Sequence, residues 1–128
     1  MSPRALLFLF LLLPAVPTRA DSFQSWAARA ERATREKNET AAFEAYSNAI
    51  ASWVPSNGKA AKARALRRRA ALRARRGDDA GAIRDYSASV ALARDAKAYH
   101  ARGVLLLKAG RVESAISDFY RAVALSVR

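Results

Sequence analysis

The chain has 128 residues, no cysteine, one histidine, and 23 Lys plus Arg against 11 Asp plus Glu, for a formal charge of +12. That length holds one small domain at most, and the composition excludes a disulfide framework, a thiolate metal site, a cysteine nucleophile and a histidine cluster. The basic balance favours acidic partners such as acidic protein, anionic lipid or nucleic acid.

In chain order, residues 1–20 read as a secretory signal peptide. Arg4 precedes the apolar run Ala5–Leu13, and a small-residue exit leads to Ala20, the three parts such a signal requires. A bilayer span needs about 20 apolar residues, and Pro14 and Pro17 interrupt this stretch first. Cleavage is expected after Ala20, with Thr18 and Ala20 as the small residues the peptidase holds. Residues 21–128 are then expected in a periplasm, a lumen or the extracellular space.

Residues 21–128 lack strand alternation and are rich in the helix formers alanine, arginine and leucine. Helices are expected at about 22–36, 40–53, 60–76, 79–93, 96–109 and 112–126. The breaks between them carry turn chemistry: Lys37-Asn38-Glu39, Pro55-Ser56-Asn57-Gly58, Gly77-Asp78-Asp79, Asp95 and Gly110. Asp78 or Asp79 is expected to cap the fourth helix. Asn38-Glu39-Thr40 also matches an N-glycosylation acceptor.

The chain repeats itself. AIRDYSASVAL at 82–92 returns 33 residues later as AISDFYRAVAL at 115–125, and AFEAYSNAI at 42–50 carries the same frame. Such a period marks stacked supersecondary units. The first helix of each pair has a large residue followed four later by a small one: Trp26 and Ala30, Leu66 and Ala70, Tyr99 and Gly103. The second has small, aromatic, small: Ala42-Tyr46-Ala49, Ala82-Tyr86-Ser89 and Ala115-Phe119-Ala122. Small residues let two helix axes approach while large ones fill the space beside them. A single pair cannot bury its apolar face, so the pairs must stack.

This code resembles the tetratricopeptide repeat. The resemblance implies an all-α, right-handed superhelix of three stacked helix-turn-helix units, at about 23–56, 63–95 and 96–128. The sequence departs from that family at Arg29, Arg69 and Arg102, which stand where leucine is usual, and at Arg73, which replaces the second aromatic of the middle unit. On that ground the middle unit is expected to pack loosely.

No catalytic constellation stands out, and neither an enzyme nor a cofactor is expected. His100 has no obligatory nucleophile beside it. Lys59 to Arg76 holds nine basic residues and no acidic one. Residues 54–85 lack any aromatic on which bases could stack, which weighs against nucleic acid. The resemblance implies a different use, since first helices in this family line a concave groove that holds a peptide or partner helix. Here the groove would present Gln24, Ala27, Glu31 and Arg35, then Arg64, Arg67, Ala71 and Arg75, then Lys97, His100, Val104 and Lys108. That is a basic channel with an apolar centre at Ala71 and Val104, fitting an acidic or amphipathic segment. It lacks the asparagines of the family's carboxylate clamp, and Glu31 would repel a terminal carboxylate. Arg64, Arg67 and Arg75 are expected to face the channel, free of the core. The alternative is diffuse binding to anionic lipid headgroups or acidic polysaccharide.

A stack of this kind usually ends in a polar cap. The third unit here runs through Val123, Leu125 and Val127 without one. An exposed apolar edge around Leu105, Leu106 and Tyr120 is therefore expected, serving self-association or a partner helix.

Overall fold

Helices form where the sequence places its alanine-, arginine- and leucine-rich runs. The computed structural model describes residues 22–127, so the signal-peptide expectation lies outside the described residues. The helices are α1 (Phe23–Arg35), α2 (Glu39–Ser52), α3 (Lys59–Arg75), α4 (Asp79–Leu92), α5 (Ala96–Lys108) and α6 (Val112–Ser126). A 3₁₀ turn, Pro55–Asn57, separates α2 from α3. Each helix lies within about one residue of its expected bounds.

The turn ending α1, α3 and α5 is built the same way each time. The residue past the cap takes a left-handed backbone, Lys37 at φ 56°, Gly77 at 83° and Gly110 at 80°. The next amide then reaches back to the last turn: Asn38 to the Ala33 carbonyl at 2.9 Å, Asp78 to Arg73 at 2.9 Å, and Arg111 to Leu106 at 2.9 Å. This closes carbonyls that the helix end leaves open. Two of those amide donors also cap the next helix. Asn38 accepts from the Ala41 amide at 3.1 Å and Asp78 from the Gly81 amide at 2.9 Å. Of the two expected caps it is Asp78 that acts, and the Gly81 amide with Arg73 holds its carboxyl below the usual value. Lys37 is the one non-glycine in this left-handed position among the described residues. Lys37→Gly is expected to stabilise the fold by up to about 1 kcal/mol, because a Cβ is disfavoured in that conformation. A urea midpoint that stays the same or falls would contradict this.

Within the pairs α1/α2, α3/α4 and α5/α6 the helices pack most extensively, and α2/α3 and α4/α5 join one pair to the next. The small residues of the repeat lie at the crossings: Ala30, Ala49, Ala70, Ala82 and Ala115 are all fully buried. Gly103 is needed for the same reason, since a Cβ there would lie 2.8 Å from the Phe119 ring. Tyr46, Leu66, Tyr86 and Leu106 fill the space beside the crossings. Each such side chain contributes about 1.5–3 kcal/mol by leaving water. Ser89 occupies one alanine position and donates to the Ala63 carbonyl at 2.7 Å, so its hydroxyl is satisfied in the core.

The expectation of a loose middle unit is corrected. Arg69 makes a two-pronged pair with Asp85, Nε to Oδ2 at 2.8 Å and Nη2 to Oδ1 at 2.9 Å. Arg73 joins from the next turn at 3.0 Å, bonds Asp78 at 3.0 Å and lies over the Phe43 ring. Arg102 repeats the device on Asp118, with both contacts at 2.7 Å. Each arginine also reaches a serine of the preceding pair, Arg69 to Ser47 at 3.4 Å and Arg102 to Ser87 at 3.1 Å. Arginine at these positions therefore replaces leucine packing with an ion pair between the two helices of a unit and a hydrogen bond to the unit before, and burial of both charges is tolerated because they meet. The Arg102 guanidinium is held above its usual pKa, first by its hydrogen bonds to Asp118. Arg29 has Ala45 where the aspartate would stand, and it lies over the Trp26 ring instead.

The expected exposed edge is corrected in part, for Tyr120 is exposed as expected while Leu105 and Leu106 are not. Leu105 and Leu106 are 9% and 4% exposed, and Leu105 packs in the core with Ala70, Ala82, Tyr86 and Ala98. At this edge the outward apolar residues lie on α6: Ile116 at 49%, Tyr120 at 75%, Val123 at 61%, with Val127 just beyond.

Candidate functional site

The outward stripes of α1, α3 and α5 carry the expected groove residues. Gln24, Arg35, Arg64, Ala71, Arg75, Lys97, His100, Val104 and Lys108 are exposed, and Ala27, Glu31 and Arg67 are half-buried. These side chains stand outward because the inward positions three and four residues away hold Ala30, Ala70 and Gly103 at the crossings.

Most of the basic residues there have acidic partners within the fold. Arg64 on α3 reaches Glu31 on α1 at 3.5 Å, and Arg67 meets Asp95, ahead of α5, at 2.8 Å. Arg75 pairs with Glu39 at 2.9 Å, and Lys108 with Asp79 at 2.9 Å. The last two occupy equivalent places in successive units and tie a first helix to the preceding second helix. These pairs differ in kind. Arg64, Arg75 and Lys108 are 61–70% exposed, so their pairs contribute less than about 1 kcal/mol each and exchange readily. Arg67 is only 20% exposed, and its partner Asp95 also caps α5 by accepting from the Lys97 amide at 3.0 Å. Arg67 is thus part of the framework as well as of the stripe, which corrects the expectation that it stands free of the core.

Lys97 is the equivalent of Arg64 one unit on, and Ala71 stands where Glu31 would be. Among the described residues Lys97 has no ion-pair partner within 4.0 Å, and neither does Arg35. His100 takes the place equivalent to Arg67 and lies against Phe119, ring centroids 5.7 Å apart. The stripe between α3 and α5 therefore combines an unpaired ammonium, an imidazole and the exposed apolar side chains of Ala71 and Val104. Among the described residues no group of three His, Asp or Glu is placed to hold a metal ion.

Sequence reading missed the acids that neutralise this face. Only the buried pairs away from this face left a signal, for Asp85 and Asp118 each stand 16 residues after Arg69 and Arg102. Spacing alone does not reveal that Glu39 and Asp79 come within reach of the next unit.

No family model matches the sequence, and no curated protein matches it. Solved structures do resemble it. The second TPR (tetratricopeptide repeat) of Spaghetti (RPAP3), bound to the HSP90 peptide SRMEEVD, superposes with a TM-score of 0.69 at 22% identity, over 81% of this chain and 92% of that one. Two crystal structures of MamA give TM-scores of 0.70 and 0.67 at 19% identity, over 82% and 83% of this chain. The match spans 58% and 55% of those MamA chains. At this identity the likeness concerns the fold, which is tetratricopeptide-like.

Proposed function

We propose that the chain is an exported, non-catalytic interaction module, a right-handed superhelix of three helix-pair units that binds an acidic or amphipathic peptide segment. The segment would lie along the concave stripe formed by Arg64, Arg67, Ala71, Arg75, Lys97, His100, Val104 and Lys108. The observation that carries this reading is the stretch between α3 and α5. There Lys97 has no ion-pair partner among the described residues, Ala71 and Val104 offer apolar contact, and the exposed pairs around them can exchange carboxylates. The tetratricopeptide fold of Spaghetti holding the acidic peptide SRMEEVD supports a protein or peptide ligand.

The test is fluorescence anisotropy with an acidic peptide carrying an amidated C-terminus, against the same peptide with Gln and Asn for Glu and Asp. The acidic form should bind and the neutral form should bind at least tenfold more weakly. Near 1 M salt the Debye length falls to about 3 Å. Groove binding with an apolar centre should persist there in part, whereas its complete loss would favour diffuse attachment to an anionic surface. Export has its own check, an intact mass that begins at Asp21 or within a few residues of it.

Self-association through α6 belongs to the same reading. The outward face of α1 is polar, with Arg29 and Arg32 exposed. Head-to-tail stacking would set those cations against Ile116, Tyr120 and Val123, beside Arg121. A two-fold pairing of α6 with α6 avoids this mismatch and is the simplest closed form. Sedimentation at micromolar concentration should show a dimer that Tyr120→Glu returns to monomer. A wild-type chain that stays monomeric at high concentration would end this part of the reading.

A further inference from the structure

The opposite side of the molecule, formed by the second helices, holds an open cavity of about 650 Å³ between α4 and α6, floored by α5. Its wall is apolar along Val90, Ala91, Ala124 and Leu125. Its charged side chains are Arg94, Arg102 and Arg121. Among the described residues no acidic residue lines it. The three arginines are not equivalent. Arg102 is committed to Asp118 by two bonds of 2.7 Å. Arg121 stands 3.7 Å from the same carboxylate, beyond hydrogen-bond distance, with its side chain 56% exposed. Arg94 has no ion pair among the described residues and is exposed. Tyr99 closes the floor between Arg102 and Arg121, whose guanidinium carbons lie 5.6 and 5.7 Å from its ring centroid.

The repeat supplies an internal control. In the corresponding groove one unit earlier, between α2 and α4, the places of Arg94, Tyr99 and Arg121 are taken by Val54, Leu66 and Ala88. The apolar wall is kept there, as Ile50, Ala51, Ala91 and Leu92, and so is the committed arginine, Arg69. Stacking of the units therefore needs the wall and the buried pair but neither Arg94 nor Arg121, the two cations without a hydrogen-bonded carboxylate. The second groove alone carries both.

The geometry points to a ligand site in this cavity for a small amphiphilic anion. A carboxylate or phosphate head would sit between Arg94 and Arg121, and an alkyl or acyl portion would lie along Val90, Ala91, Ala124 and Leu125. The volume falls in the range of about 300–1,000 Å³ usual for small-molecule sites. The head would form charge-assisted bonds with guanidinium groups that have no hydrogen-bonded carboxylate of their own. The site shares no residue with the stripe of first helices, so it stands or falls apart from peptide binding there.

Decyl phosphate, below its micelle concentration, is the probe, with inorganic phosphate and decanol as its two halves. Calorimetry on the chain beginning at Asp21 should show saturable binding of one decyl phosphate, at least tenfold tighter than either half. Arg94→Ala with Arg121→Ala should weaken it about a hundredfold, at roughly tenfold for each arginine. Arg84→Ala with Arg111→Ala removes the same charge outside the cavity and should leave the affinity unchanged. Ala91→Trp or Ala124→Trp fills the apolar wall from exposed positions and should abolish binding with the charge intact. Equal weakening by the two arginine pairs would reduce the effect to net charge and overturn the site. So would indifference to both tryptophans, or binding only to anionic vesicles and not to the free amphiphile.

Discussion

Asp118→Ala is expected to destabilise the fold by about 3–5 kcal/mol, because it strands a partly buried guanidinium. Asp118 is 2% exposed and accepts both prongs of Arg102, whose side chain is 16% exposed. Removing the carboxylate leaves Arg102 with only Ser87 at 3.1 Å. In a domain of this size each kcal/mol lowers the melting temperature by about 4 °C or more, so the midpoint should fall by at least about 12 °C. Adding Arg102→Leu to Asp118→Ala should recover a large part of the loss, since replacing both partners with apolar groups is often close to neutral. This separates a penalty for an unpaired charge from a simple loss of packing. A single variant that unfolds within 1 kcal/mol of the parent would show that the pair does not hold α5 and α6 together.

The second large effect falls on peptide affinity. Arg64→Glu, Arg75→Glu and Lys97→Glu together are expected to weaken the amidated acidic peptide on the order of a hundredfold, as attraction becomes repulsion both in approach and in the complex. Helix content should not change. The Arg64 and Arg75 side chains are 61% and 70% exposed, and their pairs with Glu31 and Glu39 contribute little to folding. Arg67 is left in place, because Arg67→Glu would set a carboxylate against Asp95 where it caps α5. Binding that survives the triple reversal would show the stripe to be a solvated face. A loss of helicity would mean these side chains support the fold.

The sequence by itself determined the helices and their pairing. A small residue must stand where two axes cross, so Ala30, Ala70 and Gly103, and Ala42, Ala82 and Ala115, mark the crossings before any coordinates are seen. The turns were legible for a similar reason, since left-handed backbone favours glycine and an exposed amide favours Asn or Asp. Lys37 and Arg111 show the limit, for they take these places without the favoured chemistry and the repeat alone assigns them. Tertiary structure alone decided what the charges do. Arg69 and Arg102 read as departures from leucine, and only the approach of α4 and α6 turns them into bridges to Asp85 and Asp118. The groove reads as basic apart from Glu31 until stacking pairs Glu31 with Arg64 and brings Glu39, Asp79 and Asp95 against it, leaving Lys97 without an ion-pair partner among the described residues. Helical periodicity is a property of consecutive residues and is written along the chain. Ion pairing across units depends on rise, crossing angle and side-chain reach, which local pattern does not carry. The same reason hid the cavity of Arg94, Tyr99 and Arg121, residues of the connection after α4, of α5 and of α6 that only stacking brings to one place.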